Sequence, residues 1–214
     1  LETMHQDWIS SICLAHDVKF DNKKIINEIH LSNINTESLI RFRKELSAVA
    51  LLRHPHIIRI YEILEEKDQL FIITEYFPGK HLGEAGQGLS LMQKIEVIKD
   101  LADTLSELHQ QGIIHKNLTA RNIFINPQDH TQMRINNFGL FYLLDLNDIF
   151  HRQSHVDFFT YTSPEQTGLL KRPVDNRSDL YSLGAIFYEL LCAQPPFEDQ
   201  DIGRLIYKHL AFKP

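Results

Sequence analysis

The hydrophobic pattern of the chain changes at Pro78-Gly79, and this change constrains the fold more than any other feature of the sequence. Before it, short segments rich in apolar and β-branched residues predict strands, and Thr36 begins a helical pattern. The predicted strands are residues 9–15, 24–31, 57–64 and 69–75. The helical patterns after it are residues 89–111, 177–192 and 202–210. The sequence therefore predicts an α+β fold with two parts.

The first predicted part, residues 1–78, is a small antiparallel β-sheet lobe with one helix. The second part, residues 79–214, is larger and mainly α-helical. The segment 177–192 is apolar on almost all faces, which predicts a helix in the middle of the helical core. On the helix of 89–111, apolar residues such as Met92 and Ile95 are expected to begin its buried stripe.

Composition and charge exclude several classes of protein. The 214 residues carry a net charge of −6, which argues against a nucleic-acid partner. Two cysteines cannot form a disulfide framework, which fits a reducing compartment and predicts a cytoplasmic location. No apolar run is long enough to insert into a membrane. Because the chain begins at Leu1 and stops at Pro214 in a helix-like stretch, we expect it to be a piece of a longer protein.

Several short motifs occur in a fixed order along the chain. Residues 115–122 read His-Lys-Asn-Leu-Thr-Ala-Arg-Asn, followed by Asn137-Phe138-Gly139 and by Ser163-Pro164-Glu165. In this order they resemble the H-R-D-L-x-x-x-N, D-F-G and A-P-E motifs of protein kinases. The helix around Glu45 and the run 74–79 likewise resemble the kinase regulatory helix and hinge. The resemblance covers nearly the whole chain and implies a two-lobed kinase fold.

Residues 161–196 resemble, more narrowly, the kinase-like module at the front of bacterial hybrid sensor histidine kinases. Compared with the family, the C-terminal helices are missing, and with them the arginine that pairs with the residue equivalent to Glu165. The resemblance therefore implies one kinase-like domain inside a longer signalling chain.

The charged groups that phosphoryl transfer requires are replaced in this sequence. Asn117 stands at the catalytic-loop aspartate, Asn137 at the metal-binding aspartate and Asn27 at the phosphate-binding lysine. An alternative alignment brings Lys23 or Lys24 to the lysine position, but it breaks the apolar alternation of the strand. A neutral amide is not a general base, and it is a poor ligand for Mg²⁺. We therefore expect no intact catalytic residue and no metal site.

The glycine-rich loop of the family is also absent. Counting back from Ile12 places His5, Asp7 and Ser10 at the three glycine positions, and the first glycine of the chain is Gly79. Without glycines, the backbone N–H groups cannot approach a phosphate closely, and the Asp7 carboxylate would repel one.

Seven positions match the cofactor-binding residues of the family and are interpreted as vestigial: Glu45, Thr74, Glu75, Phe77, Asn122, Ile25 and Phe124. We expect Glu45, which faces no lysine on the strand, to be a solvated or amide-bonded carboxylate. We expect Asn122 and Asn117 to shape the loop by hydrogen bonding. Two alternatives stay open for the enlarged Ile25 and Phe124: either they meet and fill the adenine slot, or they are ordinary core residues beside an open slot.

The architectural residues of the family are retained. The column that joins the two lobes matches His115, Phe138, Val49 and Ile60, and Asp179 matches the buried aspartate that anchors the catalytic loop. Gly139 and Glu165 complete the structural core set.

This pattern predicts a pseudokinase, a regulatory or scaffolding interaction module in signal transduction. Its expected partner is another protein or another domain of the same chain. No cofactor is expected, and any binding of ATP should be weak and independent of Mg²⁺. The alternative is a weak or atypical ATP-binding Ser/Thr protein kinase. A third interpretation, a stand-alone structural module without switching, would be favoured by a segment 139–162 that is ordered and invariant.

Overall fold

The computed structural model describes residues 2–6, 10–32, 34–139 and 159–214. Its N-terminal lobe is a five-stranded antiparallel sheet with the strand order β1-β2-β3-β5-β4. The strands are β1 (Glu2–Gln6), β2 (Ser10–Asp17), β3 (Asn22–His30), β4 (Ile60–Glu66) and β5 (Gln69–Glu75). Four of them lie close to the predicted segments, whereas β1 was not predicted.

Helix α1 (Thr36–Ala50) packs on this sheet. Its N-cap is Asn35, whose side chain accepts a hydrogen bond from the backbone N–H of Ser38. Phe42, Leu46 and Val49 lie on successive turns and are buried, so this face of α1 contributes to the core.

The C-terminal lobe is mainly helical. Its helices are α2 (Leu82–Ala85), α3 (Leu91–Gln110), α4 (Asn176–Cys192) and α5 (Ile202–Ala211). A small antiparallel sheet faces the first lobe, with the order β6 (Lys80–His81), β7 (Ile123–Asn126) and β8 (Asp129–Ile135). The α+β class and the two-lobed kinase architecture are therefore confirmed.

The predicted faces of two helices need correction. On α4, Leu180 is 50 % exposed and Leu191 is 47 % exposed, so the helix is not buried all round among the described residues. On α3, Met92 and Ile95 are exposed as well, and the buried stripe begins further along the helix, at Val97. Period alone identifies an apolar face, but burial depends on which element lies opposite that face.

One hydrophobic cluster runs through both lobes, from Ile29 of β3 to Leu190 of α4. The lobes are also joined by backbone, because Ile57 bridges to Ile135 of β8 and the Ile58 N–H donates to the carbonyl of Ile135 at 2.9 Å. The continuous core fixes the position of the first sheet over β7 and β8. The cleft between them contains the positions singled out in the sequence.

Candidate functional site

A cavity of about 490 Å³ lies between the two lobes. Its upper side is formed by residues of the first sheet, including Ile25 and Asn27 of β3 and Thr74 of β5. Its lower side includes Phe124 of β7 and Asn137. Six of the seven predicted cofactor-binding positions line this cavity and Glu45 does not; the six are Ile25, Thr74, Glu75, Phe77, Asn122 and Phe124.

Both enlarged residues line this space. The Phe124 ring packs on the His81 ring, with the two centroids 4.5 Å apart, and Ile25 belongs to the opposite wall. Because a cavity remains between the lobes, the geometry favours the open slot over the alternative in which Ile25 and Phe124 fill it.

Three asparagines at the floor of the cleft form a closed set of amide hydrogen bonds. The Asn137 Nδ2 donates to Asn122 Oδ1 at 2.8 Å, and the Asn122 Nδ2 donates to the carbonyl of Asn117 at 2.8 Å. The Asn117 Nδ2 then donates to the carbonyl of Asn137 at 3.1 Å. We call this arrangement the amide ring.

The amide ring stands where the kinase resemblance implies a general base and two ligands of Mg²⁺. Each of its side chains donates an N–H bond, which a carboxylate cannot do. Asn122 Oδ1 already accepts one of these bonds. A hard dication prefers charged oxygen ligands, and the ring offers none. Among the described residues, no group of His, Cys, Asp and Glu is arranged to hold a metal ion. The amide ring therefore supplies no charged ligand for the Mg²⁺ of a nucleotide.

Asn137 adopts a left-handed backbone conformation, with φ at 63°, and Lys116 does so with φ at 61°. Asparagine tolerates this region better than most residues do, because its short polar side chain can bond locally. The backbone thus directs Asn137 toward Asn122, and the following Gly139 N–H donates to the His115 carbonyl at 3.0 Å.

Asp179 at the start of α4 holds the loop that carries the amide ring. Its two carboxylate oxygens accept hydrogen bonds from the backbone N–H groups of His115 and Lys116, each at 2.8 Å. The His109 Nε2 lies 2.8 Å from the same carboxylate, which is 1 % exposed. The predicted anchoring role of Asp179 agrees with this geometry.

His115 is fully buried below the cleft, and burial lowers the pKa of its imidazole from 6.5 to about 4. Its Nε2 lies 2.9 Å from the carbonyl of Asn136, and its Nδ1 accepts the Asn117 N–H at 3.2 Å. A neutral ring protonated on Nε2 satisfies both contacts. A proton on Nδ1 would face another N–H group, so the imidazolium form does not fit.

The predicted column between the lobes is assembled. The ring of His115 packs on the ring of Phe138, with centroids 4.2 Å apart, and Phe138, Val49 and Ile60 belong to the same buried cluster. α1, the sheet and the loop of the amide ring are therefore packed together.

The expectation for Glu45 was wrong. Its carboxylate is neither solvated nor amide-bonded, because Oε1 accepts a hydrogen bond from Nζ of Lys116. The Glu45 side chain is 29 % exposed and the Lys116 side chain is 8 % exposed. Oε2 is buried and has no hydrogen-bond partner among the described residues. The lysine lies on the loop of the amide ring, so this ion pair links α1 to the C-terminal lobe.

Sequence reasoning missed this pair because it sought a partner for Glu45 on β3. Asn27 is on β3 as aligned, opposite Ile12 and Ile72, and it is buried, but its short amide is no substitute for a lysine ammonium. The available signal was Lys116 itself, a cation next to Asn117 in a loop that resembles one lying beneath the regulatory helix.

The run predicted as the hinge, residues 74–79, connects β5 of the first sheet to β6 of the small sheet. Glu75 pairs with Nε of Arg134 at 2.7 Å, and the Arg134 guanidinium also lies 5.1 Å from the centre of the Phe77 ring. Arg134 was not singled out, since nothing in its local sequence indicates a partner on β5. The Thr74 hydroxyl reaches the Glu75 carbonyl at 3.4 Å.

Two predictions concern residues that the structure describes only in part. Asp7, at the second glycine position, lies outside the described residues, and so does most of the segment 139–162. Of the other two glycine positions, the backbone of His5 belongs to β1 and Ser10 begins β2. Glu165 accepts a hydrogen bond from the Ser178 hydroxyl, which the sequence did not predict.

Comparison with known proteins agrees with this geometry. A family model described as a protein kinase domain matches residues 9–212. The serine/threonine-protein kinase PrkC of Bacillus subtilis is 30 % identical over 208 residues, which cover 94 % of this chain and 31 % of PrkC. PknB of Mycobacterium leprae is 28 % identical over 215 residues, covering 96 % of this chain and 34 % of PknB. The chain thus spans about a third of the length of these curated relatives.

None of the helices in the described ranges has the length and apolarity of a membrane crossing.

Proposed function

This chain belongs to the protein kinase family, and we propose that within this family it acts as a pseudokinase, a regulatory module without efficient phosphotransfer. The observation that carries the proposal is the amide ring of Asn117, Asn122 and Asn137. Loss of a general base alone slows a reaction by roughly 10²–10⁴. Here the metal-binding carboxylate and the phosphate-binding lysine are replaced as well, and the losses act on the same step.

The regulatory part of the proposal is supported by the assembled architecture. The column of His115, Phe138, Val49 and Ile60 is packed, and the Lys116–Glu45 ion pair holds α1 in place. A domain packed in this way presents a defined surface to a protein partner or to another domain of a longer cytoplasmic signalling chain. A position inside a hybrid sensor histidine kinase fits this role.

A second candidate function is a weak or atypical ATP-binding Ser/Thr kinase. The observation in its favour is the cavity of about 490 Å³, which is large enough for a small ligand. The curated relatives are also named as serine/threonine-protein kinases. On this alternative, nucleotide binds weakly and without Mg²⁺, and transfer is slow.

A phosphotransfer assay tests the two candidates. The chain is incubated with γ-labelled ATP, Mg²⁺ or Mn²⁺ and a generic protein substrate, alongside an Asn117→Ala/Asn137→Ala variant prepared in the same way. We expect equal, background-level label in both, because the amides carry no catalytic charge. Label that appears with the natural chain and disappears with the double variant would contradict the pseudokinase proposal and favour the weak kinase.

A further inference from the structure

Among the described residues, the cleft lacks the charges that hold a polyphosphate, and we propose that it binds an uncharged heteroaromatic ligand in preference to a nucleoside triphosphate. The inference deepens the proposed function, on which it rests, by naming the class of ligand for the same cleft. It is carried by the size of the cavity, the charge of its lining and the state of Asn27.

The cavity has the size and the surface of a small-molecule site. Ligand pockets commonly measure about 300–1,000 Å³ and are lined mainly by apolar groups with a few polar ones. This cavity has about 490 Å³, with aliphatic side chains of β2 and β3 on one side and the aromatic ring of Phe124 on the other. Such walls favour a flat, largely apolar molecule.

The described lining carries almost no net charge. Among its described residues, Arg121 is the one arginine or lysine and Glu75 is the one carboxylate, which is itself paired with Arg134. The remaining hydrogen-bonding groups are mostly amides, including Asn27, Asn122 and Asn137. Lys116 on the neighbouring loop is bound to Glu45.

A triphosphate would enter such a cleft at a disadvantage. It would give up strong hydration, and charge-assisted bonds from several lysine, arginine or backbone N–H groups would be needed to replace it. Replacement by amides recovers only part of this loss. An uncharged ring system with N–H and carbonyl-like groups loses far less hydration free energy on entering the same cleft. The cleft should therefore favour neutral ligands over a triphosphate.

Asn27 supplies a polar group suited to such a ligand. The residue is 8 % exposed and lines the cavity, and its Oδ1 has no hydrogen-bond partner among the described residues. A buried amide oxygen without a partner destabilises the site. Rotation of the amide about χ2 exchanges Oδ1 and Nδ2, so Asn27 can offer a ligand either an acceptor or a donor.

Isothermal titration with a pair of probes tests the proposal. Adenosine and ATP share one ring system and differ in charge, so each is titrated into the chain, ATP both with and without Mg²⁺. We expect adenosine to bind at least as tightly as ATP, with no effect of Mg²⁺. About tenfold tighter binding of Mg²⁺-bound ATP, or no binding of adenosine, would overturn the inference.

Asn27→Lys tests whether missing charge causes the ligand preference, with Asn22→Lys as its control, and Ile25→Trp tests whether the ligand binds in this cavity. Asn27→Lys adds a cation to the lining and should shift the ratio of affinities toward ATP by about tenfold, whereas Asn22→Lys, on the same strand but outside the lining, should not. Ile25→Trp should abolish adenosine binding by filling the cavity. Thermal unfolding checks that each variant is folded, and an equal shift in both lysine variants would overturn the assignment to Asn27.

The two proposals fail separately. Absence of adenosine binding would remove the ligand class and leave the phosphotransfer result as it is. Phosphotransfer that depends on Asn117 and Asn137, in a cleft that nevertheless prefers adenosine, would contradict the pseudokinase function alone.

Discussion

The substitution of asparagine for aspartate at the floor of the cleft is isosteric, yet it reverses the direction of hydrogen bonding. A carboxylate there would accept bonds from a metal or a substrate, whereas the amides of Asn117, Asn122 and Asn137 donate to one another. The polar groups of the loop are thereby satisfied within the protein. This arrangement gives the catalytic loop a structural use that needs no ligand.

Restoring one aspartate should therefore destabilise the protein. Asn137→Asp removes the N–H bond to Asn122 Oδ1 and places two acceptor oxygens against each other. We expect the free energy of unfolding to fall by about 1–2 kcal/mol, measured by urea denaturation at pH 7. Asn126→Asp is the matched control, because it also loses a donated bond, from Nδ2 to Gln132 Oε1 at 3.4 Å, but at the exposed surface, where its Oδ1 keeps the bond from the Gln128 N–H. No loss of stability in Asn137→Asp would contradict the structural role of the amide ring.

At Asp179 the reverse substitution, aspartate to asparagine, is expected to be destabilising, because the loop needs a carboxylate at this position. Its two oxygens accept two backbone N–H bonds, so Asp179→Asn would set an NH₂ group against one of them. We expect a loss of roughly 1–3 kcal/mol of unfolding free energy and faster hydrogen exchange at the amides of His115 and Lys116. Asp175→Asn, at the N-cap of the same helix, should change stability little, because aspartate and asparagine cap equally well. Equal effects of the two substitutions would contradict the anchoring role.

At the residue scale, the sequence was sufficient to locate the altered positions but not their contacts. Asn117 and Asn137 were aligned by the order of the motifs, and Asn27 by the apolar alternation of its strand and its spacing from Glu45. The partner of Glu45 was not found, because Lys116 is 71 positions away and its side chain reaches α1 only through the tertiary fold. The hydrogen-bond partners of flexible polar side chains depend on distances between residues in the folded protein, and the hydrophobic periodicity of the sequence does not give these distances.

At the scale of elements, prediction succeeded where an apolar period is long and uninterrupted. The helices α3 and α4 and the strand β5 lie within a few residues of their predicted bounds. Strand β1 was missed because its pattern is polar and it gains its place only by pairing with β2. Short edge strands depend on a neighbour for their hydrogen bonds, which a local pattern does not reveal.

The Lys116–Glu45 ion pair predicts how firmly α1 is held. Glu45→Gln removes the negative charge that faces a largely buried lysine cation. We expect a loss of about 1–2 kcal/mol of unfolding free energy and faster hydrogen exchange along α1, while exchange in α3 stays the same.

The matched control for this pair is Glu37→Gln on the same helix. Glu37 pairs with Arg41 at the surface, where both side chains are largely exposed, and such pairs contribute little to stability. Equal exchange of α1 in the Glu45→Gln and Glu37→Gln variants would show that apolar packing alone, through Phe42 and its neighbours, holds the helix.

At the scale of the whole molecule, the two lobes share one core, so a disturbance at the interlobe cleft is expected to reach the entire fold. The hydrophobic cluster continues from the first sheet into α4, and Phe138 connects it to the floor of the cleft. The buried His115 lies within this connection, and His209 lies buried on α5 beside Tyr181. Protonation of either histidine is therefore expected to lower the free energy of unfolding of the whole molecule.

Acid should destabilise the molecule before its carboxylates titrate. Burial lowers the pKa of both His115 and His209 to about 4, whereas the unfolded chain binds protons near 6.5. Because only the unfolded state takes up these protons between the two values, stability is fully present above pH 6.5 and is lost as the pH falls toward 4. For His115 the full loss is on the order of 3 kcal/mol.

Urea denaturation at pH 7 and at pH 4.5 measures this loss, and NMR titration of the histidine rings assigns it. We expect the His115 ring to stay neutral down to about pH 4 in the folded protein, because its Nδ1 accepts the Asn117 N–H and has no room for a proton. The same rings in urea-unfolded protein serve as the reference, titrating near 6.5. A His115 resonance that titrates near 6.5 in the folded state, or equal stability at both pH values, would show that the loop opens to solvent and that the connection between the lobes is looser than its packing indicates.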